Sequence, residues 1–138
     1  MNANANAQVR TEIDWNQVVI GLLGLLFLLT GLAQLLAPRW FFDNIGTFEP
    51  FNRHYTGDLG AFTAPLGLGL LLSLRRLRDN LLLILVAAAG STLHVFNHLY
   101  DDVLAGNWSL QHALGETLPL ALTAILLWLV WVRLRQPA

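Results

Sequence analysis

The chain contains no cysteine and no lysine, and charged residues make up only 12% of its 138 positions. The absence of cysteine excludes a disulfide framework, a thiolate metal site and thiol catalysis. The absence of lysine excludes Schiff-base chemistry, since all eight basic residues are arginine. A soluble globular protein has about 25% charged residues, so the composition also excludes an ordinary soluble domain.

Apolar residues dominate what is present. Hydrophobic residues make up 55% of the chain and thirty-three positions are leucine, and the mean hydropathy is +0.53. Because uncharged apolar stretches recur along the whole length, we expect one all-α domain that spans the lipid bilayer several times. The net charge of −1 excludes a broad basic face for nucleic acid or for anionic lipid headgroups.

Four apolar stretches predict four spanning helices, because a tilted helix needs about 20 residues to cross a hydrocarbon core of roughly 30 Å. Short connections between them predict an up-down-up-down four-helix bundle at 15–135. The connections are an aromatic segment, a basic turn that holds three arginines, and an acidic loop that begins at Asp101 and Asp102. The predicted spans are 15–37, 54–74, 81–100 and 112–132, with polar tails at 1–14 and 136–138.

The distribution of arginine predicts the orientation in the membrane. With both termini in the cytoplasm, six arginines lie on the inside and only Arg39 and Arg53 lie outside. We therefore expect a multi-pass protein of the cell membrane with both termini cytoplasmic. An anchoring role at the membrane interface is enough to explain the tryptophans near the ends of the spans, which are Trp108, Trp128 and Trp131.

The four histidines all fall at the outer ends of the predicted helices. Each is followed one helical turn later by another potential ligand, and a spacing of four residues places both side chains on one helix face. Three neighbouring helices would thus carry polar side chains at one membrane depth, where they could close around a single pocket. The pairs are His54 with Asp58, His94 with His98, His98 with Asp102, and His112 with Glu116.

Span length places two of the carboxylates inside the membrane. Without Asp58 and Glu116, the uncharged parts of the second and fourth spans are 16 residues each, or roughly 24 Å at 1.5 Å per residue. Including them restores the length but costs about 2.5 to 3.5 kcal/mol for an unpaired charge near the membrane centre, and less near the interface. A metal ion, the neighbouring histidines or a water-filled cavity could offset that cost.

One interpretation of this pattern is a metal or haem site. Imidazole and carboxylate without sulfur suit Fe, Zn, Cu or Mn, and two histidines on facing helices could hold haem b. The enzyme of this kind would be a membrane oxidoreductase or metal-dependent hydrolase for a lipid-soluble small molecule, with Asp58 or Glu116 as the proton acceptor. The haem ligands would be His54, His94 and His98. The predicted metal ligands are His54, Asp58, His94, His98, Asp102, His112 and Glu116.

Two other interpretations stay open. The polar side chains could hydrogen-bond between helices and fix their register in a homo-oligomer or in a non-catalytic subunit of a larger membrane complex. Alternatively, the acids could form part of a proton or small-molecule conduit, which would need polar residues continuing to the inner side. Polar residues that could continue the path are few, and candidates such as Gln34 and Ser73 are scattered.

Two strings carry a resemblance to known proteins: His54-Tyr-Thr-Gly-Asp58 and His94-Val-Phe-Asn-His98-Leu-Tyr-Asp-Asp102. They resemble a group of small bacterial four-helix membrane proteins that are loosely similar in size and layout to the DoxX-like proteins. The resemblance covers about the last two thirds of the chain and implies a four-span fold with these five residues as motif positions. It implies no particular activity. The pattern of that group has an arginine just before the aspartate, where this chain has Gly57.

Overall fold

A computed structural model describes residues 14–47, 49–106, 109–110 and 113–136 of the chain, of which the side chain of residue 105 is not described. Within these ranges all regular structure is helical, which confirms the predicted all-α class.

The first two helices meet at a proline. Helix α1 (Trp15–Leu36) begins at Asp14, whose carboxylate accepts a hydrogen bond from the backbone N–H of Asn16, as expected of an N-cap residue. It ends at Ala37, because a residue that precedes proline is disfavoured in the helical region. Helix α2 (Pro38–Asn44) starts at that proline, which lacks the N–H that a first helical residue leaves unpaired.

Helix α3 (Arg53–Ser73) packs antiparallel on α1 with the two backbones in close contact. Its N-cap is Asn52, whose side chain accepts hydrogen bonds from two backbone N–H groups of the first turn. A Cβ atom on Gly60 would lie 2.7 Å from the carbonyl oxygen of Gly31, and one on Gly67 would lie 2.7 Å from that of Gly24. Small residues therefore line both sides of this contact, as is common between helices in membranes.

The second helix pair follows a short 3-10 turn (Leu77–Asn80). Helix α4 (Leu81–Ala105) and helix α5 (Leu118–Leu134) run antiparallel, and a π-helical turn (Ala113–Thr117) precedes α5. Side-chain hydrogen bonds join the pair, among them one of 3.0 Å from Trp128 to Thr92. The chain therefore folds into two helix hairpins, α1–α3 and α4–α5.

The two hairpins share one apolar core at the end of the molecule that holds the turn between α3 and α4. Leu70 of α3, Ile84 of α4 and Leu127 of α5 are completely buried there, and every helix of the two pairs contributes at least one residue. The full set of buried core residues is Ile20, Leu23, Leu70, Leu77, Ile84, Ala87, Ala88, Leu127, Val130 and Leu134.

Among the described residues, three helical segments are long and apolar enough to cross a membrane: Trp15–Leu36, Arg78–Leu104 and Ala113–Leu134. The predicted second span corresponds to α3, which has 21 residues but is not one of these three segments. Its hydropathy is lowered by Arg53, His54, Asp58 and four glycines. The prediction of a membrane protein is thus supported by three segments, whereas the four-span bundle stays a prediction.

The helix boundaries on both sides of the predicted acidic loop differ from the structure. The expected acidic loop at Asp101 and Asp102 is instead helical, because α4 continues to Gly106, whose φ of 63° ends the helix in a left-handed cap. The predicted fourth span begins at His112, which lies outside the described residues, and the α-helix proper begins at Leu118. Pro119 has no N–H to donate to the carbonyl one turn earlier, where the π-helical turn lies.

Candidate functional site

The end of the molecule opposite the shared core carries an excess of carboxylates, and we call it the acidic end. The start of α3 and the end of α4 both lie there, because the short turn between these helices is at the other end. His54 lies in the first turn of α3 and His98 lies in the half of α4 nearer the acidic end, whereas His94 lies one turn earlier, near the middle of α4. The described carboxylates of the acidic end are Asp43, Glu49, Asp58, Asp101, Asp102 and Glu116.

His54 and Asp58 form a pair in the first turns of α3. Imidazole Nε2 lies 3.4 Å from carboxylate Oδ2, and the two side chains are 82% and 57% exposed. The backbone N–H of His54 is held by the Asn52 cap, so the position of this pair follows from where the helix starts.

The pair belongs to an exposed stripe along α3. Positions 54, 58, 61, 65, 68 and 72 follow helical periodicity and are all exposed. The buried small residues Gly60, Ala64 and Gly67 contact α1 from another face of the helix. The close packing on α1 therefore fixes the rotation of α3 and leaves His54 and Asp58 facing outward.

His94 and His98 form the second pair, on α4. Their ring centroids lie 4.9 Å apart with an angle of 58° between the ring planes, so the two imidazoles are neighbours on one helix face. One turn further on lies Asp102, which is only 4% exposed. The sequence predicted both of these i,i+4 relationships from spacing alone.

Asp102 links α4 to the chain segment that precedes α5. Its Oδ2 accepts a hydrogen bond of 3.5 Å from the hydroxyl of Thr117, and both residues are buried. Glu116 precedes Thr117 in the π-helical turn and is half-buried. These three residues place two carboxylates at the junction of α4 and α5, where burial makes partners necessary.

Asp101 has a different role from Asp102. Its Oδ2 accepts a hydrogen bond of 3.1 Å from the side-chain amide of Asn97, one turn earlier in α4. This bond lies on the surface and supports the last turns of the helix. Because the two aspartates are adjacent in sequence, the helix directs one carboxylate to α5 and the other to the outside.

The structure brings the predicted ligands together in pairs. Within the described ranges, no three histidine, aspartate or glutamate side chains form a group that could hold a metal ion, and His112 lies outside those ranges. The metal and haem ligands and the proton-acceptor roles of Asp58 and Glu116 therefore stay predictions.

The sequence analysis did not predict two buried polar features, the hydrogen bond of Thr117 and the burial of Gln34. Thr117 lies 15 residues beyond Asp102, across a loop whose path no periodicity predicts. Gln34 on α1 is only 3% exposed, and its Oε1 has no hydrogen-bond partner among the described residues. A signal for Gln34 did exist, because it follows the helical spacing of the buried residues Ile20, Gly24 and Gly31.

Comparisons of this chain with protein-family models, with curated proteins and with solved structures found no match.

Proposed function

We propose that this chain is an integral protein of the cell membrane that binds a transition-metal ion at the acidic end of helix α4. In this proposal four helices span the bilayer, with both termini in the cytoplasm and the acidic end outside. Large apolar side chains such as Leu36, Phe62 and Leu82 are exposed at 72–80%, and exposed apolar surface of this extent suits contact with lipid. The arginines concentrate at the other end of the fold, as the positive-inside rule requires.

The observation that carries the proposed metal site is the contact between His94 and His98. Two imidazoles one helical turn apart can bind one ion from the same face of a helix, as in metal sites that use this spacing. Rings whose centroids lie 4.9 Å apart are near enough for small side-chain rotations to bring a nitrogen of each to about 2.0–2.1 Å from a shared zinc ion.

The surroundings of the two histidines favour a site with open coordination positions. Asp102 is the next carboxylate along α4, but its hydrogen bond to Thr117 directs it toward α5. Two protein ligands leave room for water or for a substrate that arrives from the lipid. The reaction class that fits is oxidation or hydrolysis of a lipid-soluble molecule, with Glu116 as the proton acceptor on the same helix pair. Asp58, the other predicted proton acceptor, lies on α3 in the other hairpin.

Metal analysis of the purified protein tests this proposal. We expect about one Zn, Cu, Fe or Mn ion per chain after equilibration with each metal and removal of the excess. The double variant His94→Ala with His98→Ala should lose the ion, and each single variant should lower the affinity at least about tenfold. His54→Ala is the matched control, because it removes one imidazole from the other hairpin and should leave the metal content unchanged.

Three results would contradict the proposal. They are an absence of metal from the wild-type protein, an equal loss in His54→Ala, and full retention in the double variant. An absorption spectrum of the same samples distinguishes haem, because a Soret band that disappears in both His54→Ala and the double variant would assign these histidines to haem instead of a single ion.

A second candidate function is that of a non-catalytic subunit in a homo-oligomer or a larger membrane complex. The observation that favours it is the outward-facing pair of His54 and Asp58 on α3. If α3 spans the bilayer, this pair would face lipid, where polar groups are costly unless they meet a partner. Ala61, Leu68 and the other exposed positions of the same stripe would complete such a contact.

Native electrophoresis of gently solubilised membranes tests this second function. A subunit should migrate at a mass well above the 15.3 kDa of the single chain. His54→Leu with Asp58→Leu should shift it toward the mass of one chain in detergent. Migration at that mass in the unaltered protein, or no shift in the variant, would contradict the function.

A further inference from the structure

A cavity of about 480 Å³ lies at the end of the molecule opposite the acidic end, and we call it the basic pocket. Three arginines of the turn between α3 and α4, Arg75, Arg76 and Arg78, line it together with residues from the start of α1 and the end of α5. The pocket is therefore formed where three separate stretches of the chain meet.

Hydrogen bonds between these stretches hold the pocket in shape. The side-chain amide of Gln17 on α1 donates to the carbonyl of Leu74, at 3.3 Å. Arg78 donates to the carbonyls of Leu134 and Gln136, at 3.1 and 3.0 Å. Arg78 thereby caps the carboxyl end of α5, where a positive charge is favourable. Its guanidinium is therefore already hydrogen-bonded within the fold.

The other two arginines of the turn, Arg75 and Arg76, make fewer contacts within the fold than Arg78 does. Arg76 lies 3.9 Å from Asp79 in a loose, exposed ion pair, of a kind that contributes little by itself. Arg75 is exposed and makes no hydrogen bond or ion pair with the residues that the structure describes. Two guanidinium groups at neighbouring positions therefore remain able to bind an anion at the rim of the pocket.

The charge balance favours an anion, since three arginines line the pocket together with two carboxylates, Asp14 and Asp79. Among the described residues, the basic end carries five arginines against Asp14 and Asp79. Asp14 is used as the cap of α1 and Asp79 pairs with Arg76. At the acidic end the ratio is reversed, with Arg39 and Arg53 against six carboxylates. The small net charge of the whole chain conceals this separation, so it excludes a broad basic face for anionic headgroups but not a local basic pocket at one end.

We propose that the basic pocket binds the phosphate group of an anionic phospholipid through Arg75 and Arg76. Guanidinium groups bind phosphate through paired hydrogen bonds. Basic pockets between membrane helices on the cytoplasmic side suit acidic headgroups. Leu74, Leu77 and Leu134 also line the pocket. Leu77 and Leu134 are buried in the shared core, so the half-buried Leu74 supplies the apolar contact for the glycerol and the first acyl carbons, which a free phosphate ion would not use.

This inference rests on the membrane-spanning part of the proposed function and is independent of its metal site. The test uses the full chain in a neutral detergent, with thermal unfolding as the readout. A ligand that binds the folded state raises the Tm by mass action. Short-chain phosphatidylglycerol at saturating concentration should raise it by about 5 °C. Matched phosphatidylcholine should leave it unchanged, and so should inorganic phosphate at the same concentration.

The variants assign the effect to the pocket. Arg75→Gln with Arg76→Gln should lose the shift caused by phosphatidylglycerol. Arg39→Gln with Arg53→Gln removes the same charge from the acidic end and should keep the shift. Arg75→Lys with Arg76→Lys retains the charge but not the paired geometry, so it should keep part of the shift and guards against a simple folding defect.

Three outcomes would overturn the inference. One is an equal shift with phosphatidylcholine, which would indicate binding to apolar surface alone. Another is an equal shift with inorganic phosphate, which would assign the site to a free ion. The last is a full shift in the Arg75→Gln, Arg76→Gln variant. Metal content at the acidic end is measured separately, so failure here and failure of the metal site are distinguishable.

Discussion

The indole Nε1 of Trp128 on α5 donates a hydrogen bond to the hydroxyl Oγ1 of Thr92 on α4, at a distance of 3.0 Å. That hydroxyl in turn donates to the carbonyl of Ala88, at 2.8 Å. From the sequence, Trp128 was interpreted only as an anchor at the membrane interface. The structure adds a second role, because the polar edge of the ring lies between α4 and α5 and joins the two helices near the shared core.

Loss of this bond should destabilise the fold modestly. Trp128→Phe keeps the apolar ring but removes the donor, and we expect a loss of about 0.5–1.5 kcal/mol in the free energy of unfolding. Combining it with Thr92→Val in a double-mutant cycle measures the coupling. Trp131→Phe is the control for the loss of an indole, because the Trp131 ring contacts the ring of Trp128 and the guanidinium of Arg135, and phenylalanine keeps an aromatic ring at that position. Zero coupling between positions 128 and 92 would show that the bond contributes nothing.

The close backbone contact between α1 and α3 predicts that replacing a glycine by alanine changes stability very differently at different positions. A Cβ on Gly67 would overlap the backbone of Leu28, whereas a Cβ on Gly90 of α4 would meet nothing within 4 Å. We expect Gly67→Ala to lower the free energy of unfolding by about 1–3 kcal/mol, since overpacking forces the helices apart.

Gly90→Ala serves as the matched control and should be neutral or stabilising by up to about 1 kcal/mol, because alanine favours a helix over glycine. Thermal unfolding in detergent measures both variants. Equal effects at the two positions would mean that α1 and α3 do not approach each other as closely as the structure has them.

The buried amide of Gln34 lowers the stability of the fold, and a substitution that removes the amide should remove this penalty. Its Oε1 is buried without a hydrogen-bond partner among the described residues, and a buried unpaired acceptor costs about 1–3 kcal/mol. Gln34→Met, which has a similar length and no amide, should therefore raise the Tm. A decrease instead would indicate that the amide binds a group which the isolated chain does not contain.

The absence of cysteine allows a direct test of topology without altering the background. Ser109→Cys reports on the acidic end and Gln136→Cys on the basic end. In intact cells a membrane-impermeant maleimide should label position 109, and position 136 should react only after the membrane is opened, because the proposed orientation keeps the arginine-rich end in the cytoplasm. The opposite pattern would invert the proposed orientation.

The sequence by itself determined the helical class, the apolar character and most of the helix positions. Leucine-rich runs bounded by Pro38 and by the arginine turn at 75–78 leave little choice about where helices can form. The i,i+4 spacing of His94 and His98 likewise fixed their contact, because neighbours within one helix are set by its geometry alone. The end of α4 was predicted less well, because Asp101 and Asp102 are polar and were assigned to a loop, although each has a hydrogen-bond partner.

Only the tertiary structure decided how the helices face one another. Gly60 and Gly67 allow α3 to pack closely on α1. This contact fixes the rotation of α3 about its axis and leaves His54 and Asp58 exposed on the outward-facing stripe. Spacing along α3 cannot reveal that rotation, because apolar and small residues lie on every side of this helix. The pairing of Asp102 with Thr117 also depends on how α4 and α5 pack. Contacts within a helix follow from the sequence, whereas contacts between helices depend on which faces pack most closely.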